Sequence, residues 1–350
     1  MHIRPITLPD YDQAIQLLQQ YGDGAYVYSP VWLMQQLFVP VSAACRLLPV
    51  LKQPLPQLIV AVKEARVLGL LWLSPDGADN TRWRFEQLIV DPAESAHEVG
   101  QKLIGYAVNH FGAAGVRTFI ARIESTCMPV LALFKAEGFR QAARLQHYQL
   151  AINEPRHPAA ASATHSSLML HSVEPRDAAL MAEMYNAMLP VEARNSLHRT
   201  KHDFKRRWLN RIADQMSGLS YRRWLVYSPD KRRVAMGCID LLTISTREVH
   251  LGLMILPGYE NYAASLLEMA IKKILQGASR PTIHIRAFEF QKELQVAIAA
   301  QGFTWYSSTE VLIRDYWATL KPGEQEPAAL NGLQGVMALF GGKASPACQQ

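Results

Sequence analysis

Phe85-Glu86-Gln87-Leu88-Ile89-Val90-Asp91-Pro92, continued by Ala93 to Gln101 and by Lys102-Leu103-Ile104, is the stretch whose reading decides the fold. It reads as a strand, a tight polar loop and a helix. The strand end is apolar and stops at a proline, and Gly100 stands where the helix begins. A helix N-terminus carries unpaired N–H groups and partial positive charge, so it can hold a phosphate. A strand that feeds such a turn suits a nucleotide-like ligand.

Working outward, the helix places Val99, Leu103, Ala107 and Phe111 four apart as a buried stripe. Gly112 to Gly115 closes it. Val116 to Ile123 is a strand, Met128 to Glu137 a helix closed by Gly138, and Arg140 to Ile152 a long strand. Upstream, His2 to Thr7 is a short strand, and a helix runs from Leu8-Pro9-Asp10 to about Gln20. Val31 to Phe38 reads as a second helix. Gln57 to Val62, Val67 to Leu73 and Trp83 to Val90 are strands, with a turn at Pro75-Asp76-Gly77.

Residues 154–167, rich in Pro, Ala, Ser and His, read as a linker. The pattern then restarts. Leu168 to Val173 is a strand, Pro175-Arg176-Asp177 opens a helix, and Asp203 to Ile212 is another. Strands follow at Trp224 to Tyr227, Val234 to Leu242 and Val249 to Leu256, the last ending at Pro257. The loop Gly258 to Ala263 leads into a helix with Leu267, Ala270, Ile271 and Ile274. Thr282 to Ala287 is a strand, Gln291 to Ala300 a helix closed by Gln301-Gly302-Phe303, and Thr304 to Arg314 the final strand. Each half reads β-α-α-β-β-β-loop-α-β-α-β, a duplication of a whole domain. The expected organisation is 1–153, a 154–167 linker, 168–318, and a 319–350 tail.

The chain has 350 residues, nearly half of them apolar and about a fifth charged, an ordinary globular composition. No apolar run reaches the ~18 residues that span a bilayer, and Met1-His2-Ile3-Arg4-Pro5 shows no secretory signal. Cys45, Cys127, Cys238 and Cys348 are scattered, with no metal spacing. These features lead us to expect a cytoplasmic, reduced protein with no metal. The net charge of +6 fits an anionic ligand.

This order of elements resembles two GNAT (Gcn5-related N-acetyltransferase) domains in tandem. Ser95-Ala96-His97-Glu98-Val99-Gly100 occupies the frame of the family's Q/R-x-x-G-x-G/A loop, matching at the last glycine. Leu133-Phe134-Lys135-Ala136-Glu137-Gly138-Phe139 is similar to the family's L-Y-x-x-x-G-F helix end, and the following strand ends in Tyr148-Gln149-Leu150. In the second half, Gly258-Tyr259-Glu260-Asn261-Tyr262-Ala263 takes the loop position, and Gly302-Phe303 repeats the closure. The resemblance covers nearly all of 1 to 318. It implies an α/β (α+β) fold of two tandem GNAT-like domains, each a mixed, mostly antiparallel sheet flanked by helices.

The resemblance also implies acetyl-coenzyme A as co-substrate and an amine as acceptor, a small molecule in preference to a protein N-terminus. The loop Ser95, Ala96, His97, Glu98, Val99, Gly100 and Gln101 would receive the pyrophosphate. The strand edge Leu88, Ile89 and Val90 would hydrogen-bond the pantetheine amides, and a splay from the next strand would admit the thioester, with Phe134 beside it. Glu98 sets a carboxylate near two phosphates, which is unfavourable unless it turns outward; His97 and Lys102 offset it. Glu260 does the same in the second loop, where no basic residue answers it, so the first half is the favoured site.

Acetyl transfer to an amine needs a base, and something to protonate or stabilise the leaving thiolate. Glu86 is the candidate base; its alternative is a paired or solvated strand-end carboxylate. The family's general acid is the tyrosine of L-Y-x-x-x-G-F, here Phe134, so Tyr148 or a water takes the role, or this half is catalytically weak. Cys127 and His250 read first as structural residues. The basic run Arg194, Arg199, Lys201, Lys205, Arg206, Arg207 and Arg211, with Arg222, Arg223, Lys231, Arg232 and Arg233, reads as a solvated face or as contact with an acidic partner or RNA backbone. No nucleic-acid module accompanies it. The rival to the enzyme is a non-catalytic tandem protein that binds acyl-coenzyme A or an acidic partner.

Overall fold

The computed structural model describes residues 1–21, 57–77, 80–152, 168–205, 219–227, 235–276 and 281–316. The expected helix at Val31 to Phe38, the 154–167 linker and the 319–350 tail fall outside these residues.

The first half holds β1 (His2–Pro5), α1 (Tyr11–Tyr21), β2 (Gln57–Lys63), β3 (Arg66–Pro75), β4 (Arg82–Val90), α2 (Ala96–Ala113), β5 (Thr118–Glu124), α3 (Met128–Ala136) and β6 (Arg140–Ala151). The second holds β7 (Met169–Ser172), α4 (Ala178–Met188), α5 (Val191–Leu197), α6 (Lys201–Phe204), β8 (Ser220–Tyr227), β9 (Ala235–Ser245), β10 (Glu248–Ile255), α7 (Ala263–Leu275), β11 (Thr282–Phe288), α8 (Lys292–Ala300) and β12 (Thr304–Asp315). α5 has no counterpart in the sequence reading: Val191-Glu192-Ala193 follows Pro190, and the helix is too short to show a period. The helix expected from Asp203 to Ile212 starts instead at Lys201 and ends at Phe204, where Lys205 turns to extended backbone (φ/ψ −75/109); residues 206–212 lie outside the described residues.

The sheet does not stop where the halves meet. All twelve strands form one sheet in the order β1-β2-β3-β4-β5-β12-β6-β11-β10-β9-β8-β7. The last strand of each half is exchanged: β12 pairs with β5, and β6 pairs with β11, both antiparallel. The antiparallel β12–β6 pair joins the two halves. Its register is two-fold symmetric. Thr309 faces Leu145 at the centre, and the pairs Thr304–Gln149 and Ile313–Arg140 lie at matching distances on either side. The irregularities leave out Tyr306 on one strand and Ala142 on the other, again at matching places. Corresponding residues stand 164 positions apart (302 less 138 for the two closing glycines).

The local geometry repeats as well. Cys127 and Gln291, before α3 and α8, have φ/ψ of −82/61 and −88/63. Gly138 and Gly302 end those helices at φ 80° and 78°, the left-handed region that glycine enters without penalty. Phe139 and Phe303 follow them into the cores.

One face of the sheet carries α2 and α3 over a core built on Phe85, Leu88, Leu103, Phe119 and Phe134, and α7 and α8 over another built on Leu253, Leu266, Ile285 and Ile298. On the other face α1 packs on β2–β4, and α5, through Ala193 and Leu197 and with Leu189 just before it, packs on the central strands against Ile120, Leu145, Val311 and Ile313. Among the described residues no helix is long and apolar enough to cross a membrane, and no group of three or more His, Cys, Asp or Glu is placed to hold a metal.

Candidate active site

β4 and β5 run parallel and pair only from Arg82–Thr118 to Phe85–Ala121. Beyond that pair the strands part, although β4 continues to Val90 and β5 to Glu124. The backbone of β4 from Glu86 to Val90 therefore has no β5 partner, and a gap opens in the sheet.

Glu86 stands at the mouth of this gap. Against β3, Phe85 pairs with Leu73 and Gln87 with Trp72, so Glu86 is the extra residue of a β-bulge. The bulge lets Phe85 and Leu88 both enter the core under α2 and α3. It turns Glu86 to the opposite face, with Arg84 and Ser74. Glu86 is 7% exposed. Arg84 donates to its Oε1 from Nε at 2.9 Å and Nη2 at 2.5 Å, and the Ser74 hydroxyl donates to the same oxygen. Oε2 takes no hydrogen bond among the described residues. One carboxylate oxygen is anchored and the other carries no such contact.

Around this pair lies a charged cluster that spans both halves. Asp76, nearly fully buried, is shared by Arg82 (3.1 Å), Arg84 (3.3 Å) and Arg199 of the second half (2.8 Å). Desolvation works against its charge, but Arg199, Arg84, Arg122 and Arg82 outweigh it and hold its pKa well below the usual carboxylate range. Arg82 also faces Asp203 at 3.6 Å and donates to the His198 carbonyl. Arg199 and Arg223 of the basic run thus turn inward. Arg199 meets Asp76, and Arg223 meets Asp240 on β9. Lys201, Lys205 and Arg222 are exposed. Arg206, Arg207, Arg211, Lys231, Arg232 and Arg233 lie outside the described residues.

On the other side of the sheet, Ser95 caps α2 by accepting from the Glu98 amide at 3.2 Å, and its carbonyl accepts from the Val99 amide. The amides of Ala96 and His97 make no hydrogen bond among the described residues. Glu98 is exposed and turns along the helix to Lys102 at 2.6 Å, and that bond lowers its pKa. The carboxylate is thereby drawn away from the helix end. Gln101 is half-buried on α2. Val99 and Gly100 are buried, and a Cβ at Gly100 would stand 2.8 Å from Leu133 Cδ2. This glycine lets α2 approach α3. Leu88, Ile89 and Val90 are buried. Phe134 is fully buried, edge-on to Phe85 (5.3 Å) and Phe139 (5.0 Å).

The structure does not bring Tyr148 to Glu86. The strand exchange puts Tyr148 opposite Ile285 of β11, where it packs in the second half's core, and burial raises its pKa. It lies on the opposite face from Glu86 and three strands away, ~14 Å at about 4.8 Å per strand. Cys127 precedes α3, with a thiol pKa raised by burial. His250 stacks on His284 and meets Glu248 at 2.9 Å.

Sequence reasoning missed Asp76, Arg84, Arg122 and Glu310. Arg122 had a signal: it interrupts the apolar strand Phe119 to Ile123, and Arg286 interrupts Ile283 to Ala287 at the matching position. Glu310 of β12 reaches the first half only through the exchange. It is 5% exposed, with Oε1 bonded to Ser125 (3.1 Å) and Arg144 (2.7 Å).

The second half has the same gap without the same chemistry. β10 and β11 pair from Glu248–Thr282 to Leu251–Ile285 and then part. The next residue on β10 is Gly252. Its loop amide at Gly258 donates to Glu260 Oε2 at 2.8 Å, so a carboxylate of the chain sits where an anion would bind. Ile255, Pro257, Leu294, Glu260 and Glu293 help to line a cavity of about 90 Å³ there.

Two parallel strand pairs that splay past a bulge or glycine, each followed by a loop and a helix, define the GNAT acetyltransferase fold in tandem. Solved structures bear this out along the chain. A tandem GNAT protein from the clavulanic acid biosynthesis pathway is 15% identical, with a TM-score of 0.57, covering 91% of this chain and 99% of its own. A GCN5-related N-acetyltransferase from Sphaerobacter thermophilus is 12% identical, with a TM-score of 0.55 over 91% and 97%. A probable N-acyltransferase of unknown function from Enterococcus faecalis V583 is 9% identical, with a TM-score of 0.51 over 90% and 72%. No protein-family model and no curated protein matches the sequence.

Proposed function

We propose that the chain transfers an acyl group from acyl-coenzyme A, acetyl-coenzyme A first, to the amine of a small molecule, and that the first half carries the reaction. The observation behind this is Glu86: a carboxylate at the mouth of the β4/β5 gap, held by one oxygen and open at the other. The chain's groups fit the co-substrate. The unbonded amides of Ala96 and His97 would receive a pyrophosphate, Lys102 draws Glu98 aside, and Leu88 to Val90 on β4, which have no β5 partner, would take the pantetheine amides. When bound, the thioester supplies the activated acyl group. Glu86 Oε2 takes the proton from the acceptor's ammonium, and Arg84 and Ser74 hold the carboxylate in aim. Phe134 has no proton to give and Tyr148 is remote, so solvent in the gap is the proton source for the leaving thiolate.

For the second half we propose a supporting role. Glu260 satisfies its own loop, and Arg199, Asp203 and β12 complete the first half's site. Calorimetry with acetyl-coenzyme A tests the reading, followed by acyl transfer to an amine panel by wild type and Glu86→Gln. Absence of binding at high micromolar concentration overturns it, and full activity in the variant removes Glu86 from the chemistry.

A further inference from the structure

The face of the gap opposite α2 and α3 holds more cation than its carboxylates neutralise. Arg82, Arg84 and Arg199 are paired with Asp76, Asp203 and Glu86. Arg122 is not. It makes no ion pair among the described residues, and its Nε is buried without a hydrogen-bond partner. Its position is defined by the register. Phe85–Ala121 is the last paired couple, so Glu86 and Arg122 are the first residues past the parting of the strands. Ile120 enters the core on the face of α5, and Arg122, two residues on, shares that face, as does Glu86. The carboxylate and the guanidinium flank one opening.

Keeping such a cation is costly. Burial and the neighbouring Arg84 work against its charge and Arg286 adds to them; Asp76 and Tyr185 offset this only in part, so its pKa falls to about 10, which still leaves it protonated at neutral pH. An unpaired, partly buried charge is unfavourable unless something compensates it. A guanidinium is the group that receives a carboxylate in two parallel hydrogen bonds.

We propose that Arg122 anchors a carboxylate carried by the acyl acceptor, which makes the acceptor a short amino acid and not a simple alkylamine. This rests on acyl transfer occurring in the first half. Glu86 receives the ammonium end and Arg122 the carboxylate end of one small molecule. The strand spacing of about 4.8 Å, widening beyond the last pair, sets how far apart the two ends lie. The neutral alternative is that Arg122 only steadies Asp76 at a distance, in which case its removal lowers stability and leaves acceptor choice alone.

The test uses the full chain and the variants Arg122→Gln and Arg122→Lys. The probes are glycine, β-alanine and γ-aminobutyrate, their decarboxylated counterparts methylamine, ethylamine and propylamine, and phosphoethanolamine. With acetyl-coenzyme A present, wild type is expected to prefer the carboxylated member of a pair by at least tenfold in kcat/KM, as one charged hydrogen-bonded contact gives about ten- to a hundredfold. In Arg122→Gln that ratio falls to about one, in Arg122→Lys it recovers in part, and the melting temperature does not drop. Equal use of both members by wild type, an unchanged ratio in Arg122→Gln, or a variant that melts well below wild type overturns the assignment. A preference for phosphoethanolamine over every carboxylate overturns it in favour of a phosphate. Calorimetry of the same probes without acetyl-coenzyme A separates this from the activity. If no amine is acetylated, the acyl-transfer reading fails, and tighter binding of the carboxylated probes that is lost in Arg122→Gln still establishes the anion subsite. Equal binding there refutes it.

Discussion

The two halves share a backbone and differ in what occupies it. Both open a gap one residue beyond Phe85–Ala121 or Leu251–Ile285, and both put an arginine, Arg122 or Arg286, first on the downstream strand. Facing it, the first half has Glu86 in a bulge and the second has Gly252. A Cβ at Gly252 would approach Asp240 Cβ at 3.3 Å, so a neighbouring strand already fills that corner. At the loop, the first half leaves the Ala96 and His97 amides unbonded, whereas the second ties Gly258 to Glu260. Duplication conserves the opening because strand register and glycine turns set it. The side chains on the rim are free to change, and it is there that the two openings differ.

The comparison breaks most directly at the two carboxylates. Glu86→Gln is expected to lower kcat for acyl transfer by about 100-fold or more, the range for loss of a general base. Asp240→Asn is expected to leave the rate per folded molecule unchanged while lowering the melting temperature, since Arg223 then loses its carboxylate. Thiol release from acetyl-coenzyme A measures both. Equal losses would mean that both halves work.

The loops give the next effect. Ala96→Glu sets a second carboxylate at the α2 terminus without Lys102 to draw it off, and acetyl-coenzyme A is expected to bind about tenfold more weakly, roughly 1.4 kcal/mol. Titration of wild type is expected to give one molecule per chain. Two per chain would show that Glu260 yields to the phosphate, and the halves would then be alike.

Packing between α2 and α3 gives a smaller effect. Gly100→Ala gains helix propensity but drives a methyl into Leu133 Cδ2, and the net expectation is a loss of about 1 kcal/mol. Urea unfolding measures it, and combining it with Leu133→Ala is expected to make the introduced methyl neutral. Stability unchanged by Gly100→Ala would mean that the glycine is kept for the cofactor and not for the helix pair.

The elements were legible where local chemistry fixes them. The apolar end of β4 with Pro92, the stripe on α2, and the Gly138-Phe139 and Gly302-Phe303 closures each state their own geometry. So did the duplication, and with it the GNAT fold. The exchange of β6 and β12 was not legible. Both strands alternate as they would beside their own half, and partner choice is settled by the closing of the long-range β12–β6 pair. The strand that carries Glu86 is legible in the sequence, but its bulge depends on register with β3, which no single strand records. Tyr148 followed from the expectation that β6 stays with its own half. Asp76 and Arg199 stand 123 residues apart in the chain, and only the folded sheet shows that they are partners.

The smallest expected effect tests the central pair of strands. His147 of β6 matches Val311 of β12 under the two-fold relation, one polar and one apolar residue in equivalent places. His147 is buried, with Nε2 2.8 Å from Thr309 Oγ1 on the pseudo-axis. Burial, then Arg286, Arg122 and His250, push its pKa down from the ordinary 6.5 to about 4. Above pH 6.5 the imidazole is neutral in both folded and unfolded chains and adds no slope. Between 6.5 and about 4 the unfolded chain takes up a proton that the folded one does not, so stability falls as pH falls. Below about 4 the loss is complete. At pH 6 the penalty amounts to less than ~1 kcal/mol. His147→Val makes the two positions alike, and the variant is expected to lose less stability than wild type between pH 7 and pH 5. Its loss of the Thr309 contact is the same at both pH values and cancels in that difference. Parallel pH profiles would show that His147 is charged inside the fold, against Arg122 and Arg286, and that the centre of the sheet is wetter than its burial implies.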